Sequence, residues 1–116
     1  MHVTRLDAAP AYAAPAYAAP GHEAMRMLRL QGREAGPAQT LWLGLSHLLP
    51  GGGTTLDAAP VEKFYLVLAG EVTIGNGAET VVLGLWDSCR IAPGEPRMLA
   101  NRTNRPATVL LAMPLA

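Results

Sequence analysis

The sequence predicts an all-β domain, a sandwich or barrel of short antiparallel strands, on three observations. About eight apolar or alternating stretches follow one another, each closed by Gly, Pro or Asn. No stretch of 12 residues repeats its apolar positions at helical spacing. The best-defined strand, over Lys63–Ala69, is apolar on both faces, as a barrel wall covered from outside, for instance by a second subunit, would be.

Residues 1–21 read as an N-terminal arm rich in Ala and Pro. Alanine favours helix, but Pro10, Pro15 and Pro20 remove backbone donors and forbid a continuous one. The arm is therefore extended or polyproline-like. Two readings of it stay open: a flexible tail, or a segment that Tyr12 and Tyr17 dock onto the barrel or a partner subunit. The domain proper occupies 22–116. Met25–Leu30 alternates, with Met25, Met27 and Arg29 on one side and Arg26, Leu28 and Leu30 on the other. Thr40–Leu49 is a long strand that stops at Pro50. The following Gly51-Gly52-Gly53 is read as turn chemistry, because no Gly-Lys-Ser/Thr follows to make a phosphate loop. After Glu62–Ala69, the strands Glu71–Ile74 and Thr80–Leu83 form a hairpin across Gly75-Asn76-Gly77. Ser88–Ile91, Arg97–Asn101 and Ala107–Met113 complete the set.

A chain of 116 residues, half of them hydrophobic, makes one domain with a buried core. Much surface stays exposed at this size, and a homodimer would cover some of it. Net charge is zero, with no basic block or acidic tail, so neither nucleic acid nor a membrane surface is an expected partner. The longest apolar stretch, Leu41–Leu49, falls far short of the roughly 20 residues that cross a bilayer. The N-terminus lacks the basic start and unbroken apolar stretch of a secretory signal. Cys89 is the only cysteine, so no internal disulfide forms. A cytoplasmic location follows as the expectation, with Cys89 as a buried structural thiol.

Pro50 to Gly70 reads PGGGTTLDAAPVEKFYLVLAG and resembles the first conserved motif of the cupins. In that family a glycine is followed after five residues by His-x-His, then by Glu and, six residues later, Gly. Here the spacing holds from Gly51 to Gly70, but Asp57, Ala59 and Lys63 stand at the His, His and Glu positions. Asp87 to Asn101, DSCRIAPGEPRMLAN, is similar to the second motif, with Arg97 at the histidine position ahead of Asn101. The resemblance implies a closed antiparallel jelly-roll barrel. In the family the three His and the Glu hold iron, manganese or another divalent ion. The residues here do not suit one: alanine has no donor atom, and lysine and arginine are cations. No metal and no cofactor are expected. A substitute set of Asp57, Glu62 and His47 requires a one-residue slip that reverses every face of the strand.

With Lys63 and Arg97 at its mouth, the barrel becomes an anion site on this reading. Arg97 grips a carboxylate or phosphate through paired hydrogen bonds, Lys63 adds a point charge, Asp57 offsets part of the positive charge, and Tyr65, on the face of Lys63, is a third contact. The bland alternative is an ion pair that merely fills the vacant site. Tyr65 and His47 are the acid–base candidates, His47 on condition that it faces the cavity. His2 and His22 are expected in solvent, and Trp42 and Trp86 in the core or a dimer face. Three functions follow: a metal-independent cupin for a small anionic organic molecule, possible isomerase or lyase activity included; a metal-dependent dioxygenase or decarboxylase with atypical ligands; or a non-catalytic dimeric module with a filled barrel.

Overall fold

In the computed structural model, which describes residues 1–12 and 21–115, alternation along each strand decides what faces the interior. Along β5 (Lys63–Ala69), Lys63, Tyr65 and Val67 are buried, whereas Phe64 between them is 47% exposed. Strands β2 (His22–Gln31) and β3 (Leu41–Thr54) run antiparallel and precede β4 (Asp57–Ala58). After β5 come β6 (Val72–Gly75), β7 (Thr80–Leu83), β8 (Ser88–Ile91), β9 (Pro96–Ala100) and β10 (Ala107–Pro114). A short β1 (Ala11–Tyr12) pairs with β2, setting Tyr12 opposite Met27. Two single 3-10 turns, Leu6–Ala8 and Arg33–Ala35, are the helical segments among the described residues.

The strands follow the order β7-β6-β9-β3-β10-β5-β8, with β2 beside β3 and β4 beside β9. The result is the nearly closed antiparallel barrel that the jelly-roll reading required. Inward residues of β2, β3, β5, β6, β9 and β10 meet in one apolar core that includes Met25, Leu48, Val67, Val72 and Val109. The β6–β7 hairpin forms where expected: the Asn76 side-chain oxygen accepts from Ala78 N at 2.9 Å and Glu79 N at 2.8 Å, closing an Asx turn.

One expectation is corrected here. The strand read as ending at Pro50 continues through the three glycines to Thr54. These glycines are less a turn than a seam: the last part of β3 lies between β2 and β9, with Gly53 opposite both Glu23 and Ala100. A Cβ on Gly53 would collide with the Leu99 carbonyl, and one on Gly52 would lie 2.5 Å from the Ala24 carbonyl. Only glycine lets three backbones approach this closely.

The described end of the arm is docked. Arg29 N donates to the Pro10 carbonyl at 2.8 Å, and the Tyr12 ring meets Trp42 edge-on at 5.8 Å. Tyr17 lies outside the described residues. Of the other aromatic and sulfur expectations, Trp42 is in the core at 5% exposure, but Trp86 sits on a turn with φ +69° and is 67% exposed. Cys89 is half-buried rather than buried, against the core opposite Tyr65, and burial raises its thiol pKa. A raised pKa leaves less thiolate and an unreactive sulfur.

A cationic cavity inside the barrel

A cavity of about 220 Å³ opens at one end of the barrel. It is smaller than the roughly 300–1,000 Å³ of drug-sized ligand sites. Its polar lining comes from five strands. β5 supplies Lys63 and Tyr65, β9 supplies Arg97, β3 supplies Ser46 and Thr54, β2 supplies His22 and Arg29, and β1 supplies Tyr12. Met25, Met27 and Trp42 form its apolar side. A larger hollow of about 770 Å³ adjoins the mouth, but its walls are mainly the glycines and backbone of β3 and the rim of β9.

Lys63 is 4% exposed. Burial lowers its pKa, the neighbouring Arg97 lowers it further, and Asp57 acts in the opposite sense. Arg97 Nη1 donates to Thr54 Oγ1 at 2.6 Å and the guanidinium also reaches the Tyr65 phenol, while Nε is buried with no hydrogen-bond partner. Asp57 stands across from Arg97 in the β4–β9 register and accepts from Thr55 Oγ1 at 2.5 Å. The Tyr65 phenol pKa is raised by burial, against the opposing influence of Arg97, so the group is a protonated donor at neutral pH. The structure therefore brings Lys63, Tyr65 and Arg97 together around one space, whereas Asp57 is exposed and is not among the lining residues.

Lys63 gives a pH prediction. The fold disfavours the charged amine, so the unfolded chain holds the proton more tightly. Below the lowered folded value both states are charged and the burial penalty is complete. As pH rises through that value toward 10.5 the penalty is relieved and stability grows. Lys63→Met is expected to be more stable than the parent at pH 7 by about 1–4 kcal/mol. That advantage should shrink as pH approaches 10, as read from urea unfolding at both pH values.

His47 is corrected: its condition is not met. It lies on the outward face of β3, where its Nδ1 is 3.0 Å from Thr108 Oγ1, beside a shallow groove with Arg26 and Asp7. Ser46 and Leu48, one residue either way, are the inward neighbours. Partial burial and then Arg26 lower the His47 pKa, but it reaches no cavity atom. Glu62 also points away, bound to Arg90 Nε at 2.5 Å, so β5 has not slipped. His22, expected in solvent, is half-buried and lines the mouth. His2 is exposed and contacts the Ala35 carbonyl at 2.6 Å.

Arg29, Tyr12 and Trp42 are lining residues that sequence reasoning did not place in the site. Arg29 shares a face with Met25 and Met27 by alternation, and that was the available signal. What the sequence lacked was a sign that this face is the inner one.

A divalent metal does not fit the family position. Its four residues are Asp57, Ala59, Lys63 and Arg97, of which alanine has no donor atom and the lysine and arginine are cations that repel a metal ion. Among the described residues no three His, Cys, Asp or Glu side chains converge.

Comparison with known proteins agrees with this architecture. A protein of Mycobacterium tuberculosis (strain ATCC 25618 / H37Rv) named beta-D-galactosidase Rv1717 is 46% identical over 116 residues, covering 97% of this chain and 93% of that one. The polyketide cyclase RemF from Streptomyces resistomycificus superposes with a TM-score of 0.85 at 19% identity, over 100% of this chain and 80% of that one. A sugar phosphate isomerase from a cupin superfamily, from Silicibacter pomeroyi, gives 0.79 at 21% identity, over 97% of this chain and 74% of that one. These two solved structures share the fold. The cupin domain family profile matches residues 44–113, and with a relative so similar along nearly the whole length this chain belongs to the cupin domain family.

Proposed function

We propose that this cupin binds a small carboxylate inside its barrel, without a metal, through Arg97 and Lys63. One observation carries the reading: Lys63, Tyr65 and Arg97 line one cavity to which no described Asp or Glu contributes. Two cations lining one space without a lining carboxylate repel each other, and an anion bound between them relieves that repulsion. Thr54 holds Nη1 and so fixes the plane of the guanidinium. Tyr65 adds a neutral donor, able to hydrogen-bond a carboxylate oxygen or pass a proton to a bound substrate. Calorimetric titration of chelator-treated protein with small organic acids tests this. Heats that saturate at one ligand per chain are expected; no binding by any acid overturns it.

A second reading, hydrolysis of a β-galactoside, is favoured by the 46% identity to a protein named for that activity. Most glycosidases use two carboxylates facing the bond they cleave. Here no Asp or Glu lines the cavity among the described residues, and Asp57 only borders Arg97. Tyr65 is then the residue to test. Release of nitrophenol from a nitrophenyl β-D-galactoside, abolished by Tyr65→Phe, is the result this reading requires.

A further inference from the structure

Lys63 is the only lysine in a chain with eight arginines. It is buried, and it lines the cavity together with Tyr65 and Arg97. Arginine supplies a fixed cation equally well and never loses its proton. What lysine alone offers is a nitrogen that becomes a nucleophile once it is neutral. Among the described residues, Arg29 Nη1 and Arg97 Nε are the side-chain atoms both sealed from solvent and unpartnered. Lys63 Nζ donates to no described residue, yet it is not one of these, so it is open to the cavity that the residue lines. Burial, and then the charge of Arg97, lower its pKa and enlarge the neutral fraction. A desolvated amine beside a second cation is reactive toward carbonyl compounds.

The neighbours supply what such a reaction needs. Arg97 takes a carboxylate. Lys63 and Arg97 feel each other's charge across one small space, so a carbonyl within reach of Nζ lies next to that carboxylate. Tyr65, two residues along the same face of β5, is protonated at neutral pH and has a proton to give to the carbonyl oxygen.

Resting on the carboxylate reading, we infer that Lys63 captures a small 2-oxo acid as an imine, with the acid's carboxylate on Arg97 and Tyr65 as the proton carrier. Lys63 first releases a proton to solvent. Its lone pair attacks C2, the C–N bond forms, and the carbonyl oxygen takes the Tyr65 proton. The phenolate then recovers a proton from the nitrogen and delivers it to the new hydroxyl. Water leaves as the nitrogen lone pair closes the C=N bond, and Tyr65 is reprotonated from solvent. One ammonium and one ketone thus become one iminium and one water, and the positive charge beside the bound carboxylate is kept.

The test is reductive trapping. The protein is mixed with pyruvate or 2-oxobutyrate and sodium cyanoborohydride, then analysed by intact mass and peptide mapping. One adduct per chain is expected on Lys63, heavier than the protein by the oxo acid less one oxygen atom; the chain's other primary amine is its N-terminus. Acetone, a ketone without a carboxylate, should label Lys63 about tenfold or more slowly. Arg97→Met should remove that preference, with a melting temperature to check its fold. Adducts confined to the N-terminus, or acetone labelling Lys63 as fast as the oxo acids, overturn the inference; calorimetric binding of propionate by the same protein then leaves the carboxylate reading standing. No adduct on Lys63 and no binding of any acid overturns both.

Discussion

Arg97→Met is expected to weaken carboxylate binding sharply and to leave the barrel as stable as before, or more so. The binding loss should be about 2–5 kcal/mol, or roughly 30- to 5,000-fold in Kd, the range for removing one partner of a buried charged hydrogen bond. Stability behaves differently because Arg97 is not well satisfied in the free protein. Its Nε has no partner, and it stands beside a buried Lys63 of like charge. Methionine removes the orphan donor and the repulsion while filling similar volume. Thr54 Oγ1 loses Arg97 Nη1 but keeps its bond from Leu99 N at 3.0 Å, Asp57 keeps Thr55, and the one counterweight is the buried Tyr65 phenol, which loses the Arg97 guanidinium beside it. Calorimetry and a thermal melt on one preparation read both effects. A filled barrel with no ligand shares the stability result, so the loss of binding is what separates the two accounts. A fall in stability of several kcal/mol would mean that Arg97 is a structural strut.

Asn101→Ala should do the opposite, destabilising the fold by about 3–5 kcal/mol, the sum expected when several buried hydrogen bonds are lost and their partners stay dry. Asn101 is 1% exposed. Its Nδ2 donates to the Leu48 carbonyl at 3.0 Å and the Arg105 carbonyl at 2.7 Å. Its Oδ1 accepts from Thr103 N at 3.0 Å and Thr103 Oγ1 at 2.7 Å. One side chain therefore ties the end of β9 to β3 and shapes the turn into β10. The melting temperature should drop by about 10–20 °C for a domain of this size. Aspartate, of equal size, should not restore it, since a carboxylate has no N–H for the two carbonyls. A drop of only a few degrees with either variant would show that water replaces these bonds.

The contrast between these two positions shows what the sequence makes legible. Arg97 and Asn101 sit at fixed spacing after Gly94, and that spacing, with Gly51 and Gly70, marks the barrel. Strict alternation put Lys63 and Tyr65 on one face, and the structure buries both. Alternation alone says which residues share a face, not which face is inside. For β5 the family spacing resolved this. For β2 and β3 nothing local does, so alternation leaves open whether His47 or Ser46 faces the cavity, and whether Arg29 does. The inward side of β2 is set by its register with β3, a pairing between segments that no local pattern encodes. The three glycines failed for a similar reason. Glycine reads as a turn, and its use here is close approach of three strands. The dipeptide strands β1 and β4 are too short for any periodic signal.

The central claim is an anion site that works without a metal. Its most direct measurement is calorimetric titration of small organic acids into the protein before and after exhaustive chelation, with metal content determined on both samples. Metal far below one equivalent per chain, with binding unchanged by chelation, is the predicted result. Stoichiometric iron, manganese, nickel or zinc, whose removal abolishes binding and whose return restores it, would contradict the account.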